Sequence, residues 1–207
     1  MELKMKSLSE IDTTSKRASR AIGFTWGEAE EIGKSIRLLE LFGFQGIKTL
    51  NEYYILKLNG KFENLNLISQ NNISKKNSYC PINLGISFLD QIRSIEKFKK
   101  FTFNKVAFPL LILAFLSKSS EILGKKINVK FNDVEFLLNL NVNISSNLLN
   151  NSCPENADNL EINILENKDN FSEKEWKSLY KLSEETFVEE RDSLKEGAAG
   201  AGLTDND

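Results

Sequence analysis

The stretch PLLILAFLSKSSEILGKKINVKFNDVEFLLNL, Pro109 to Leu140, decides the fold class because its hydrophobic period changes partway along. From Pro109 to Leu123 the residues Leu110, Leu111, Ala114, Phe115, Ser119 and Ile122 recur at helical spacing. Proline at the start and Gly124 just past the end are the punctuation of a buried helix. Beyond Gly124 the period shortens to two. Lys126 to Phe131 and Val134 to Leu140 alternate about Asn132 and Asp133, which predicts a hairpin even without the favoured Asn-Gly.

Toward the carboxyl end, Leu160 to Leu165 reads as a further strand, and Ser172 caps a helix that runs to Phe187 through Trp176, Leu179 and Tyr180. Toward the amino end, Phe98, Phe101 and Phe103 with interleaved lysines read as an exposed edge strand heading for Val106. Pro81 and Asn83 open a short helix with Ile82, Ile86, Leu89 and Ile92 inward and Asp90, Arg93 and Glu96 outward. Residues 61–80, rich in Asn, Ser and Lys, read as an irregular, partly mobile connection. The first sixty residues are helical. Ser7 or Ser9 caps a helix ending at Gly23; Thr25 with Glu28 is a capping box for a second, carrying Ala29, Ile32, Ile36 and Leu39 to Gly43. A third covers Ile47 to Leu58 and stops at Asn59 and Gly60. The expected class is α+β: an N-terminal helical unit followed by a small, mostly antiparallel sheet with flanking helices. The expected regions are 1–60 helical, 61–80 a polar connection, 81–190 α+β and 191–207 a Gly-rich acidic tail, all within one compact domain.

Composition prunes the chemistry. Of 207 residues none is histidine, so Ser-His-Asp and Cys-His nucleophile systems are excluded, as are histidine-ligated zinc sites. Any acid or base would have to be Asp, Glu, Lys, Tyr or Cys, or belong to a bound cofactor, and the sequence names neither cofactor nor metal. A formal charge of -2 gives no global basic field. Lys16, Arg17 and Arg20 form a basic cluster, but no helix carries the outward Arg, Asn and Gln of a base reader, so nucleic acid is not an expected partner. No apolar run reaches the roughly 18 residues of a membrane span, and the opening MELKMKSLSE lacks a signal-peptide core; the expected location is the cytoplasm. Cys80 and Cys153, each followed by proline, suit reduced thiols.

Three segments carry a resemblance. The first is Ala21, Gly23, Trp26, Gly27, Ala29, Glu30, Glu31, Gly33, Lys34, Arg37, Leu39, Gly43 and Gly46, in the style AxGxxWGxAEExGKxxRxLxxxGxxG; the second is Pro81, Leu84 and Gly85. The third is the ending Gly200, Ala201, Gly202, Leu203, Thr204, Asp205, Asn206 and Asp207. In these the chain resembles an uncharacterised bacterial, largely alphaproteobacterial, family of unknown function with a GAGAGLTDND-type tail. That family's arginine element before the tail is represented by Arg191 and Ser193, with Lys195, Glu196 and Ala199 departing from it. The resemblance implies no activity.

The tail is itself chemically suggestive. Gly197 to Gly202 can present backbone N–H groups in a narrow crevice, while Thr204, Asp205, Asn206 and Asp207 offer oxygen ligands. The expected binding residues are Gly200, Gly202, Thr204, Asp205, Asn206, Asp207, Arg191 and Trp26, with no catalytic residue named. Trp26 qualifies because the start of the second helix, with Gly27, Glu30, Glu31 and Lys34, favours an anion as well as helix capping. The expected function is that of a non-catalytic accessory protein of a metabolic enzyme, docking through its tail onto a partner or a second copy. The alternative is a small-molecule-binding protein or cofactor-assisted enzyme closed by the tail, with Trp26, Arg37, Asp90, Arg191, Asp205 and Asp207 around the ligand.

Overall fold

A computed structural model describes residues 5–148 and 153–187. Arg191 and the tail residues Gly200, Gly202, Thr204, Asp205, Asn206 and Asp207 lie outside the described residues. The chain divides into two units, Met1–Asn167 and Lys168–Asp207.

The first unit opens with three helices whose boundaries follow from local chemistry. Helix α1, Leu8–Ala21, begins at Ser7, whose hydroxyl accepts the Glu10 N–H at 3.2 Å while the Glu10 carboxylate accepts the Ser7 N–H at 2.9 Å. Helix α2, Trp26–Leu41, repeats the device with Thr25 and Glu28. Helix α3, Gly46–Asn59, has no side-chain cap at Gln45, and its first turn instead borrows the Glu40 carboxylate, which accepts the Ile47 N–H at 2.7 Å. Gly33 fixes the α1–α2 crossing. A Cβ there would lie 2.6 Å from Asp12 Oδ1 and 2.8 Å from the Asp12 backbone oxygen, so only glycine permits the approach.

Helix α4, Pro81–Ile95, packs against α5, Leu110–Leu123. The contact centres on Gly85, where any Cβ would overlap the Phe115 ring. The inward face therefore runs through Leu84, Gly85, Phe88, Ile92 and Ile95, while Ile86 and Leu89 are only partly buried. Helix α5 is the centre of the unit: ten of its fourteen residues are buried, and it touches α2, α3, α4 and the sheet. Of its buried serines, Ser119 bonds to the Phe115 carbonyl and Ser120 to the Lys125 carbonyl, whereas the Ser117 hydroxyl has no partner among the described residues.

The sheet has six strands in the order β1-β2-β6-β3-β4-β5, from β1 (Asn71–Asn72), β2 (Lys100–Ala107), β3 (Ile127–Phe131), β4 (Val134–Asn139), β5 (Asn143–Ser146) and β6 (Asn156–Ile164). All neighbours are antiparallel except β1 and β2. The helices precede most of the sheet, and the fold is α+β as expected. The β3–β4 hairpin turns at Asn132 and Asp133, with Asn132 taking the positive φ of 48°.

Three expectations change. Strand β2 is not an exposed edge: Phe101 and Phe103 are fully buried, and residues 61–80 lie along its outer side. That polar stretch is irregular but tied down. The Asn72 amide donates to the Ser69 and Thr102 carbonyls, the Ser74 N–H to the Asn104 side chain, and the Tyr79 N–H to the Lys105 carbonyl. Strand β5 was unanticipated, because NISS buries only Ile144, and β6 begins at Asn156 rather than Leu160. In the second unit, helix α6, Glu173–Glu184, is capped by a Ser172–Glu175 box, and Phe171 stacks on Trp176 at 5.6 Å between centroids.

Candidate functional site

The α1–α2 crossing that Gly33 permits leaves a cleft of about 510 Å³ lined by Ser9, Asp12, Thr13, Lys16, Arg17, Trp26, Glu30, Lys34 and Arg37. Helix α1 supplies Lys16 and Arg17 from its outer side, and α2 supplies Glu30, Lys34 and Arg37 at one helical turn or less apart. Four cations face two carboxylates, a local surplus of positive charge in a chain whose formal charge is -2.

The charges differ in how far they are committed. Lys34 is held at 2.9 Å from Glu30 and 3.3 Å from Glu31, and Glu31 in turn accepts a 2.7 Å bond from Lys118 of α5. The Glu30 hydrogen bond raises the Lys34 pKa, and the same bond lowers that of Glu30. Burial pushes Glu31 upward, but the bond and charge of Lys118 outweigh it and the carboxyl sits below its ordinary value. Arg37 stands 3.8 Å from Asp12, near the limit of an ion pair. Lys16 and Arg17 make no salt bridge among the described residues. Lys34 and Glu30 are thus paired at the surface, and Lys16, partly buried, adds its charge beside Glu30.

Trp26 is the first residue of α2 and is 61% exposed. The Arg20 guanidinium lies over its ring at 4.9 Å from the centroid and donates to the Phe24 carbonyl, which steadies the indole from one side. The anion site expected at the α2 N-terminus is not open in the manner foreseen. Thr25 accepts the Glu28 N–H, and the Glu28 carboxylate occupies the position a ligand anion would take. The positive charge available to a ligand comes from side chains on the adjoining face instead.

Of the residues singled out from sequence as candidates for a binding site, Trp26, Glu30, Lys34 and Arg37 line this one cleft, whereas Asp90 is exposed on α4 and is not part of its lining. Asp12, Lys16 and Arg17 were not assigned to a site. Their signal was the basic cluster on α1, but only the crossing geometry joins it to α2. Among the described residues, no group of three or more His, Cys, Asp or Glu side chains is placed to hold a metal ion. The most displaced acids, Tyr53, Tyr54 and Cys153, are raised chiefly by burial and lie outside the cleft.

Residues 6–79 match a family described as "Protein of unknown function (DUF3726)". The matched segment contains α1, α2 and α3 and thus every residue of the cleft. Pro81, Leu84, Gly85 and the tail fall beyond it. No curated protein and no solved structure matches the chain. No helix among the described residues is long and apolar enough to cross a membrane.

Proposed function

We propose that this protein is a non-catalytic interaction protein whose α1–α2 cleft receives an acidic segment of a protein partner. One observation carries this reading: among the described residues Lys16 and Arg17 make no salt bridge, and both line the cleft together with an exposed Trp26. Trp and Arg are among the residues enriched at interface hot spots, and complementary charge steers and selects an oppositely charged partner. The cleft's four cations against two carboxylates give it a local positive field in a chain of formal charge -2, which suits an acidic segment. On sequence grounds the Gly-rich acidic tail is a second docking element, and a metabolic enzyme is the expected partner.

Affinity capture from the host's own extract tests the reading with three baits: the intact chain, the double variant Lys16→Glu/Arg17→Glu, and a chain ending before Gly197. The proposal expects a partner retained by the intact chain, released as salt rises past about 0.1 M, where the screening length falls to ~10 Å, and lost with the double variant. Loss on truncation would add the tail as a docking element. Identical capture by the intact chain and the double variant would overturn the assignment of the cleft. Capture of nothing, together with stabilisation of the intact chain by a small anionic metabolite, would favour the small-molecule alternative.

A further inference from the structure

A second cavity lies on the other side of α1. Helices α1 and α3 meet where the Ser19 and Tyr54 hydroxyls share a 2.5 Å hydrogen bond and Phe24 leans on the Tyr54 ring at 6.3 Å between centroids. Toward their N-termini the two helices leave a wedge of about 220 Å³, walled by Ile11, Ala18, Ile47, Leu50 and Tyr54. We propose that this wedge binds a small monocarboxylate with a compact apolar body, such as an aryl ring or a chain of about six carbons.

Size, lining and charge select that class. The volume is about half again that of a ~150 Å³ apolar cavity known to admit benzene. The inner wall is apolar apart from the buried Ser15 and the Tyr54 hydroxyl, the latter already satisfied by Ser19, with burial pushing the Tyr54 pKa up to about 12, so it carries no charge at neutral pH. The remaining polar lining is Thr14, Asn51, Glu10 and Lys6, which with Ser15 and the five wall residues makes ten. Glu10 is occupied by the capping box, taking both the Ser7 N–H and hydroxyl, and stands 3.9 Å from Lys6. The Lys6 ammonium is thus the loosely held charge beside an apolar slot, which favours a carboxylate head over an ammonium one. This inference is independent of the acidic-partner reading, since none of these ten lining residues lines the α1–α2 cleft.

Titration calorimetry and amide chemical shifts on the full chain provide the test, with hexanoate, phenylacetate, 1-hexanol and acetate as probes. Hexanoate and phenylacetate should bind with shifts centred on Ile11, Ala18, Ile47 and Leu50. Acetate should bind at least tenfold more weakly for want of an apolar body, and 1-hexanol more weakly for want of charge. Lys6→Ala should abolish the preference of hexanoate over 1-hexanol while leaving both bound. Ile47→Trp, at a partly exposed wall position where the fold tolerates bulk, should block both, with far-UV circular dichroism confirming the fold. No binding of hexanoate or phenylacetate at millimolar concentration, or binding unchanged by Ile47→Trp, would overturn the proposal.

Discussion

Gly27 and Gly33 occupy the same helix six residues apart, and alanine at the two positions should have opposite effects. In a helix interior, replacing glycine by alanine is worth up to about 1 kcal/mol, because less backbone freedom is lost on folding. Gly27 is the second residue of α2 and meets nothing within 4 Å of its ideal Cβ, so Gly27→Ala should stabilise the protein modestly, by up to about 0.5 kcal/mol. Gly33 would place its Cβ 2.8 Å from the Asp12 backbone oxygen, which no rotamer change can remove. Helix α1 must move away from α2, at the ~1–3 kcal/mol typical of overpacking. The intrinsic gain is if anything larger at Gly33, inside the helix, than at Gly27 in the first turn, so a less stable Gly33→Ala reports the clash. Urea unfolding followed by circular dichroism should show Gly27→Ala with the higher midpoint, by about 1 M for a slope of 1–3 kcal/mol/M. Equal midpoints, or a more stable Gly33→Ala, would refute the argument that this crossing is held at glycine distance and that the cleft inherits its shape from it.

Other outcomes follow from the same structure. Gly85→Ala, aimed at the Phe115 ring, should destabilise by about 1–3 kcal/mol by thermal or urea unfolding. Lys118→Met removes the closest cation from Glu31; at these part-exposed side chains the loss should be no more than about 1 kcal/mol. Since the folded Glu31 pKa is lowered, its contribution is full above the ordinary carboxylate range and fades as pH falls through the lowered value, so the gap between wild type and Lys118→Met should shrink from pH 7 to pH 3. Tyr53, Tyr54 and Tyr79 are raised by burial; their ionisation at 295 nm should lag behind that of the urea-unfolded chain, and stability should fall as pH rises through about 10. Cys80 is buried and burial pushes the Cys153 thiol up to about 12, so both should react with iodoacetamide at pH 8 far more slowly than in urea.

Helix α5 was legible because Pro109 and Gly124 bracket a 3.6-residue period, and the β3–β4 hairpin because Asn132 accepts the positive φ its turn requires. Helices α1 and α2 were legible in their capping boxes. What failed was local composition as a guide to tertiary position. The lysines around Phe101 and Phe103 suggested an edge, yet residues 61–80 lie along the strand, with the Asn72 and Ser69 side chains bonded to backbone carbonyls and the Ser74 N–H bonded to the Asn104 side chain. Strand β5 has one buried residue, too few for a period. At the site, Trp26 and Arg37 were recognisable as functional types. The convergence of Lys16, Arg17 and Arg37 depends on how α1 crosses α2, and the mark it leaves in the sequence is the glycine at position 33 inside a helix.

The measurement that bears most directly on the cleft is an amide and indole chemical-shift titration of the full chain with a hexaglutamate peptide at low and moderate salt. The account predicts saturable shifts centred on the Trp26 indole N–H and on Lys16, Arg17, Lys34 and Arg37, abolished by Lys16→Glu/Arg17→Glu and weakened as ionic strength rises. Saturable shifts centred elsewhere, or no saturable shift at any salt, would contradict it.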